Sequence, residues 1–83
     1  MAGRLFEIEY SGFPEFMKER YKSNFISNSS NGISAYCINN TYIVVNKKEK
    51  TKVLLLGSIN KIKETKSKLE KESKKTLIEL KKK

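Results

Sequence analysis

Ile33-Ser34-Ala35-Tyr36-Cys37-Ile38-Asn39-Asn40-Thr41-Tyr42-Ile43-Val44-Val45 is the stretch that decides the fold. Two apolar runs, Ile33–Ile38 and Thr41–Val45, are separated by two asparagines. Asparagine tolerates positive φ, so Asn39-Asn40 predicts a two-residue turn joining antiparallel strands. Downstream, the Lys-rich stretch from Asn46 to Lys50 reads as a polar turn. Lys52–Leu56 follows, and its run Val53-Leu54-Leu55-Leu56 lacks polar alternation. That pattern predicts a central strand buried on both faces, at least in part.

Gly57-Ser58 then opens a helix with Ser58 as its N-cap. Ile59, Ile62 and Leu69 form a narrow apolar stripe that Thr65 helps to fill, and Glu64/Lys68 and Glu70/Lys74 are spaced as i,i+4 ion pairs. No Gly or Pro lies between Ser58 and Lys83. The segment 76–83 therefore fits either a last strand, favoured by β-branched Thr76 and Ile78, or a continuation of the helix, favoured by the Glu79/Lys83 spacing. It ends in a lysine tail.

Upstream, Arg4 to Tyr10 alternates, with Phe6, Ile8 and Tyr10 on one side and Leu5, Glu7 and Glu9 on the other, as in a half-buried strand. Ser11-Gly12 breaks it. Pro14 suits the first turn of a helix, and Phe13, Phe16, Met17 and Tyr21 recur at helical spacing up to about Ser23. Asn24 to Gly32, rich in Asn and Ser, reads as the longest loop, with Phe25 and Ile26 as its anchors.

The expected fold is α+β in a single domain spanning 1–83. An antiparallel sheet of four or five strands carries two helices on one face, in the order β-α-β-β-β-α with or without a final β. The expected core is Phe6, Ile8, Phe16, Met17, Tyr21, Ile38, Ile43, Val45, Val53, Leu55, Ile59, Ile62 and Leu69.

Composition narrows the chemistry. The 83 residues include 18 Lys or Arg against 9 acids and no His, a net charge of +9. All the acids are Glu. Without His the commonest general base near neutral pH is missing, and the isolated glycines build no phosphate-binding loop. Glu7 and Glu9 could share a cation, but a solvated strand face is the simpler reading. Cys37 is the only cysteine, so no intrachain disulfide forms, and its apolar surroundings suggest a small buried hydrophobe. The expectation is a non-enzyme with no cofactor and no metal. There is no apolar run near the ~20 residues of a membrane helix and no evident signal peptide, so the expected location is the cytoplasm, without membrane attachment.

The charge points instead to a polyanion. Three basic groups stand out. The first is the turn Lys47, Lys48 and Lys50 with Lys52. The second is the helix series Lys61, Lys63, Lys66, Lys68, Lys71, Lys74 and Lys75, of which Lys63, Lys66, Lys71 and Lys74 fall near a common side. The third is the tail Lys81, Lys82 and Lys83. Lysine offers point charge, so contacts to phosphates of DNA or RNA with weak sequence preference are expected. Tyr36 and Tyr42 flank the Asn39-Asn40 turn and are candidates for base stacking on the open sheet face, although core or ordinary cross-strand packing is the simpler reading of each. The alternative is a small accessory subunit of a larger replication, transcription or RNA-processing complex, or a homodimer through a sheet edge. Leu5, the Val53–Leu56 run and Leu77 or Leu80 would supply its apolar patch.

Overall fold

The computed structural model describes residues 2–29, 31–47 and 50–80. In chain order the elements are β1 (Ala2–Ile8), α1 (Phe13–Arg20), a 3-10 turn (Lys22–Asn24), β2 (Phe25–Asn28), β3 (Ile33–Ile38), β4 (Thr41–Asn46), β5 (Thr51–Gly57), α2 (Ile59–Ser73) and β6 (Ile78–Glu79). The strands form one six-stranded sheet in the order β2-β3-β4-β5-β1-β6, and every pair is antiparallel. The α+β class and the two helices agree with the sequence; the strand count and order differ in detail.

The middle is a meander. Asn39 and Asn40 take φ of 50° and 64°, the two left-handed residues that a twisted hairpin requires, and Ile38 faces Thr41 across the turn. At the other end of β3, Gly32 turns the chain at φ 79°. β5 lies between β4 and β1. Its Thr51, Val53, Leu55 and Gly57 are buried, whereas Lys52 is exposed and Leu54 and Leu56 are half-buried. The second side is thus buried in part, as expected, and the run is unbroken because the uncovered face of the sheet is itself apolar.

β2 corrects a second expectation, that 24–32 is all loop. Its four residues are all exposed, so no buried face wrote an apolar alternation into the sequence. Main-chain bonding to β3 makes the strand, with a bulge between Phe25 and Ser27. The 3-10 turn ahead of it is tied down by Asn24 Nδ2, which donates to Cys37 O at 3.0 Å.

Both helices cover the same face. Phe13 and Met17 of α1 and Ile62 and Leu69 of α2 join Phe6, Ile8, Tyr21, Tyr36, Ile38, Ile43, Val45, Val53, Leu55 and Leu77 in one buried cluster. Phe13, Tyr36 and Leu77 were not expected there. Phe16 only packs against the rim, and Ile59, at the first position of α2, is 50 % exposed. The chain leaves α2 through Lys74, a left-handed C-cap at φ 58°, and buries Leu77 before Ile78 and Glu79 pair with Glu7 and Phe6 of β1. The last segment is thus a two-residue strand, not more helix.

Candidate functional site

α2 is the most basic element, and local rules place its side chains. Ser58 Oγ accepts the Lys61 N–H at 3.3 Å and caps the first turn. Ile62, Thr65 and Leu69 then face the sheet. The 3.6-residue period sends Lys63, Glu64, Ser67, Lys68 and Lys71 to the exposed side. Lys74 and Lys75 extend it beyond the helix end, both exposed, with Lys75 Nζ 5.6 Å from the Tyr10 ring centre. Lys61 lies at the flank, 3.9 Å from Glu64.

Of the lysines expected on one side, Lys63, Lys71 and Lys74 do point outward. Lys66 does not: it is half-buried, 3.0 Å from Glu70 Oε2 and 5.8 Å from the centre of the Phe6 ring. Its charge is already partnered inside the domain. Lys68, spaced away from that set, belongs to the exposed half instead. The ion pairs formed are Lys61–Glu64 and Lys66–Glu70, not the expected Glu64/Lys68 and Glu70/Lys74, because Glu70 turns toward the chain that leaves the helix.

The turn lysines separate. Lys50 Nζ stands 2.8 Å from Glu9 Oε1 and 3.7 Å from Glu7 Oε2. The paired glutamates thus hold a cation after all, the ammonium of Lys50. Its hydrogen bond and charge hold the Glu9 carboxyl below its ordinary value, and Glu9 raises Lys50 in return. Lys52 is exposed on the open sheet face as the cross-strand neighbour of Glu7. Lys47 is exposed at the end of β4 and borders a cleft with Lys18. Lys48, Lys81, Lys82 and Lys83 lie outside the described residues.

The two tyrosines part, and only Tyr36 leaves the set of stacking candidates. Tyr36 is 3 % exposed in the core under the helices, and burial, followed by the nearby Glu15 charge, raises its phenol above the usual value. Tyr42 does lie on the open face, 43 % exposed. Phe25, expected only as a loop anchor along with Ile26, is instead 44 % exposed. It sits on edge strand β2 and makes an edge-on contact with Tyr36 at 5.5 Å between ring centres. With Lys18, Glu19 and Lys22 it lines an apolar cleft of about 430 Å³. Only a half-exposed strand residue could have signalled it, and one Phe amid Asn and Ser carries no periodicity.

The open face of the sheet is apolar. One row across the strands is Leu80, Leu5, Leu54, Val44, Ala35 and Ser27, and the next is Gly3, Leu56, Tyr42 and Cys37. Cys37 is half-buried there opposite Tyr42, not in the core as expected. Leu77 faces the core, so Leu5, Leu54, Leu56 and Leu80 make the patch. Among the described residues no group of three metal-ligating side chains comes together, and no helix is long and apolar enough to cross a membrane. No family model matches the chain, and neither does any curated protein or solved structure.

Proposed function

We propose that the protein is a non-catalytic nucleic-acid-binding module that grips phosphates through the outer side of α2. The observation that supports this reading is the exposed set Lys63, Lys68 and Lys71, continued by Lys74 and Lys75, with Glu64 the acid among them. From Lys63 to Lys71 the helix rises about 12 Å. Each strand of a duplex places one phosphate per about 3.4 Å of helix axis, so a helix of that length laid along the axis runs beside three or four phosphates of one strand. The ammonium groups carry charge without the planar fork that reads bases, so the module binds DNA or RNA with weak sequence preference.

The test is fluorescence anisotropy with single- and double-stranded DNA and RNA over a salt series. Affinity should fall steeply with salt. Replacing Lys63, Lys68 and Lys71 together with Ala should make the log–log slope on duplex shallower by up to ~3. Lys66→Ala serves as the contrast: it removes an internal partner, so it should lower stability and leave the slope nearly unchanged. Absence of binding to every nucleic acid at low salt would sink the reading.

A further inference from the structure

We infer that a second copy of this chain covers the open sheet face, in a face-to-face dimer whose two-fold axis runs along the strands. Three features of that face carry the inference. The first is charge. The chain has 18 basic and 9 acidic residues, yet the charged residues on the uncovered side of the paired strands are Glu7 and Lys52, neighbours of opposite sign across β1 and β5, and Lys50 beside them is paired with Glu7 and Glu9. The face therefore has little net charge. It offers no cation array to an acidic partner, and it does not repel a like-charged copy. The exposed lysines of α2 lie on the far side of each sheet. Across two sheets stacked about 10 Å apart they are more than a Debye length of about 8 Å from their counterparts, so their repulsion is largely screened.

The second feature is shape. The central row grades from large to small: Leu80, Leu5, Leu54, Val44, Ala35, Ser27. A two-fold axis along the strands reverses the strand order of the second sheet. β1 then lies over β3 and β5 over β4, so Leu5 meets Ala35, Leu54 meets Val44 and Leu80 meets Ser27. An axis across the strands would set Leu5 on Leu5 and Ala35 on Ala35, with a bulge at one end and a void at the other. Only the first arrangement is self-complementary, as a two-fold interface must be. Gly3 supports it: a Cβ there would stand 2.7 Å from Leu56 Cδ2, so Leu56 lies flat over the glycine and keeps the face level enough for a second sheet.

The third feature is area. Strands of 7, 4, 6, 6, 7 and 2 residues, at about 3.3 Å per residue and about 4.8 Å spacing, give a face of roughly 500 Å² per copy, or about 1,000 Å² in all. That is the lower bound for a specific interface, so the dimer should be reversible. The inference is independent of the α2 lysines, which the packing leaves facing outward on both copies.

Sedimentation of the pure chain over a wide concentration range, at low and high salt, tests it. A monomer–dimer equilibrium that shifts toward dimer with added salt is expected. Leu54→Lys should raise the dissociation constant about a hundredfold or more, because the new charge is buried without a partner. Leu54 is not part of the core, so thermal melting should confirm that this variant still folds. In a mixture of isotope-labelled and unlabelled chains, Leu5 methyls should show contacts to the Ala35 methyl of the other copy. A chain that stays monomeric throughout overturns the inference and leaves a different protein as the occupant. A dimer indifferent to Leu54→Lys, or one with Leu5–Leu5 contacts, overturns it too, the former pointing to an edge-strand dimer.

Discussion

The carboxylate of Glu70 accepts the backbone N–H of Leu77 at 2.9 Å, and the same oxygen receives Lys66 Nζ at 3.0 Å. One side chain of α2 thereby satisfies a main-chain donor of the segment that leaves the helix and fixes where Leu77 enters the core. Glu70→Ala removes both contacts and leaves a part-buried N–H unpaired, which should cost about 1–3 kcal/mol. Glu70→Gln keeps an acceptor and should cost less. Urea unfolding measures the difference. Amide exchange at Leu77–Glu79 should quicken before that of β4 in the Ala variant; unchanged exchange there would show that the clasp does not hold the last strand.

Acid should weaken the same region. Partial burial pushes the Glu70 carboxyl up, but the Leu77 N–H and the Lys66 ammonium together outweigh it and leave the group below its ordinary value. Burial likewise pushes Glu72 up, and the Tyr21 hydroxyl and Arg20 overcome it. Both groups have folded pKa values below the unfolded value of about 4.3, so their contribution is complete above that pH and is lost as pH falls through the depressed values. Stability measured in urea from neutral pH downward should drop below about pH 4.3, and Glu70→Gln with Glu72→Gln should flatten the drop. A parallel curve for the double variant would assign the acid sensitivity elsewhere.

At the alkaline end the sign reverses. Burial, then the hydrogen bond to Glu72, raises the Tyr21 phenol, and burial raises Tyr36. Raised groups stabilise the fold below their unfolded pKa of about 10 and withdraw that support as pH climbs beyond it. Phenolate absorbance should show Tyr21 and Tyr36 titrating late, with Tyr21→Phe removing part of that late absorbance. If Tyr21→Phe leaves the late absorbance unchanged while the chain is still folded, this assignment fails.

Lys74 occupies the left-handed region at φ 58° and ψ 32°, where glycine meets no Cβ penalty. Lys74→Gly should stabilise the domain by roughly 0.5–1 kcal/mol. It should also weaken nucleic-acid affinity slightly, since it deletes one outward charge. Thermal melting and a binding titration on one sample separate the two effects, and a lower melting temperature would contradict the first.

Two adjacent leucines should behave very differently. Leu55 is wholly buried in the core, while Leu54 stands on the open face. Leu55→Ala should cost about 2–5 kcal/mol. Leu54→Ala, measured at concentrations where the chain is monomeric, should cost under about 1 kcal/mol. Comparable losses for both would mean that Leu54 is structural in the monomer.

The elements that were legible in the sequence are those whose residues announce their own environment. Asn39-Asn40 names its turn through backbone chemistry, Ser58 names a helix start, and Phe6/Ile8 and Ile43/Val45 mark one buried side by alternation. β2 was hidden because an edge strand exposed on all four residues has no apolar face to display. The burial of Tyr36 was legible but overlooked: a two-residue turn at Asn39-Asn40 already pairs Tyr36 with Ile43 and Cys37 with Tyr42, which sends Tyr36 and Tyr42 to opposite sides. Helical spacing sorted Lys63 and Lys71 correctly. It failed at Lys66, whose long stem reaches Phe6 and Glu70 from the boundary of the exposed arc.

The position of β1 carries a consequence for how the molecule is made. β1 occupies residues 2–8, yet its two neighbours in the sheet are β5, from residue 51 onward, and β6, at residues 78 and 79. During synthesis β1 has no hydrogen-bonding neighbour until β5 has been translated, and its second neighbour, β6, comes later still. Meanwhile β2 through β5 need only sequence-adjacent turns to assemble. A nascent chain should therefore form the β2–β5 meander first, while Phe6 and Ile8 wait uncovered. Such late, sequence-distant pairing slows folding and leaves a sticky strand exposed, so a destabilising change in β5 should reveal itself as aggregation in the cell before it reveals itself as lost binding.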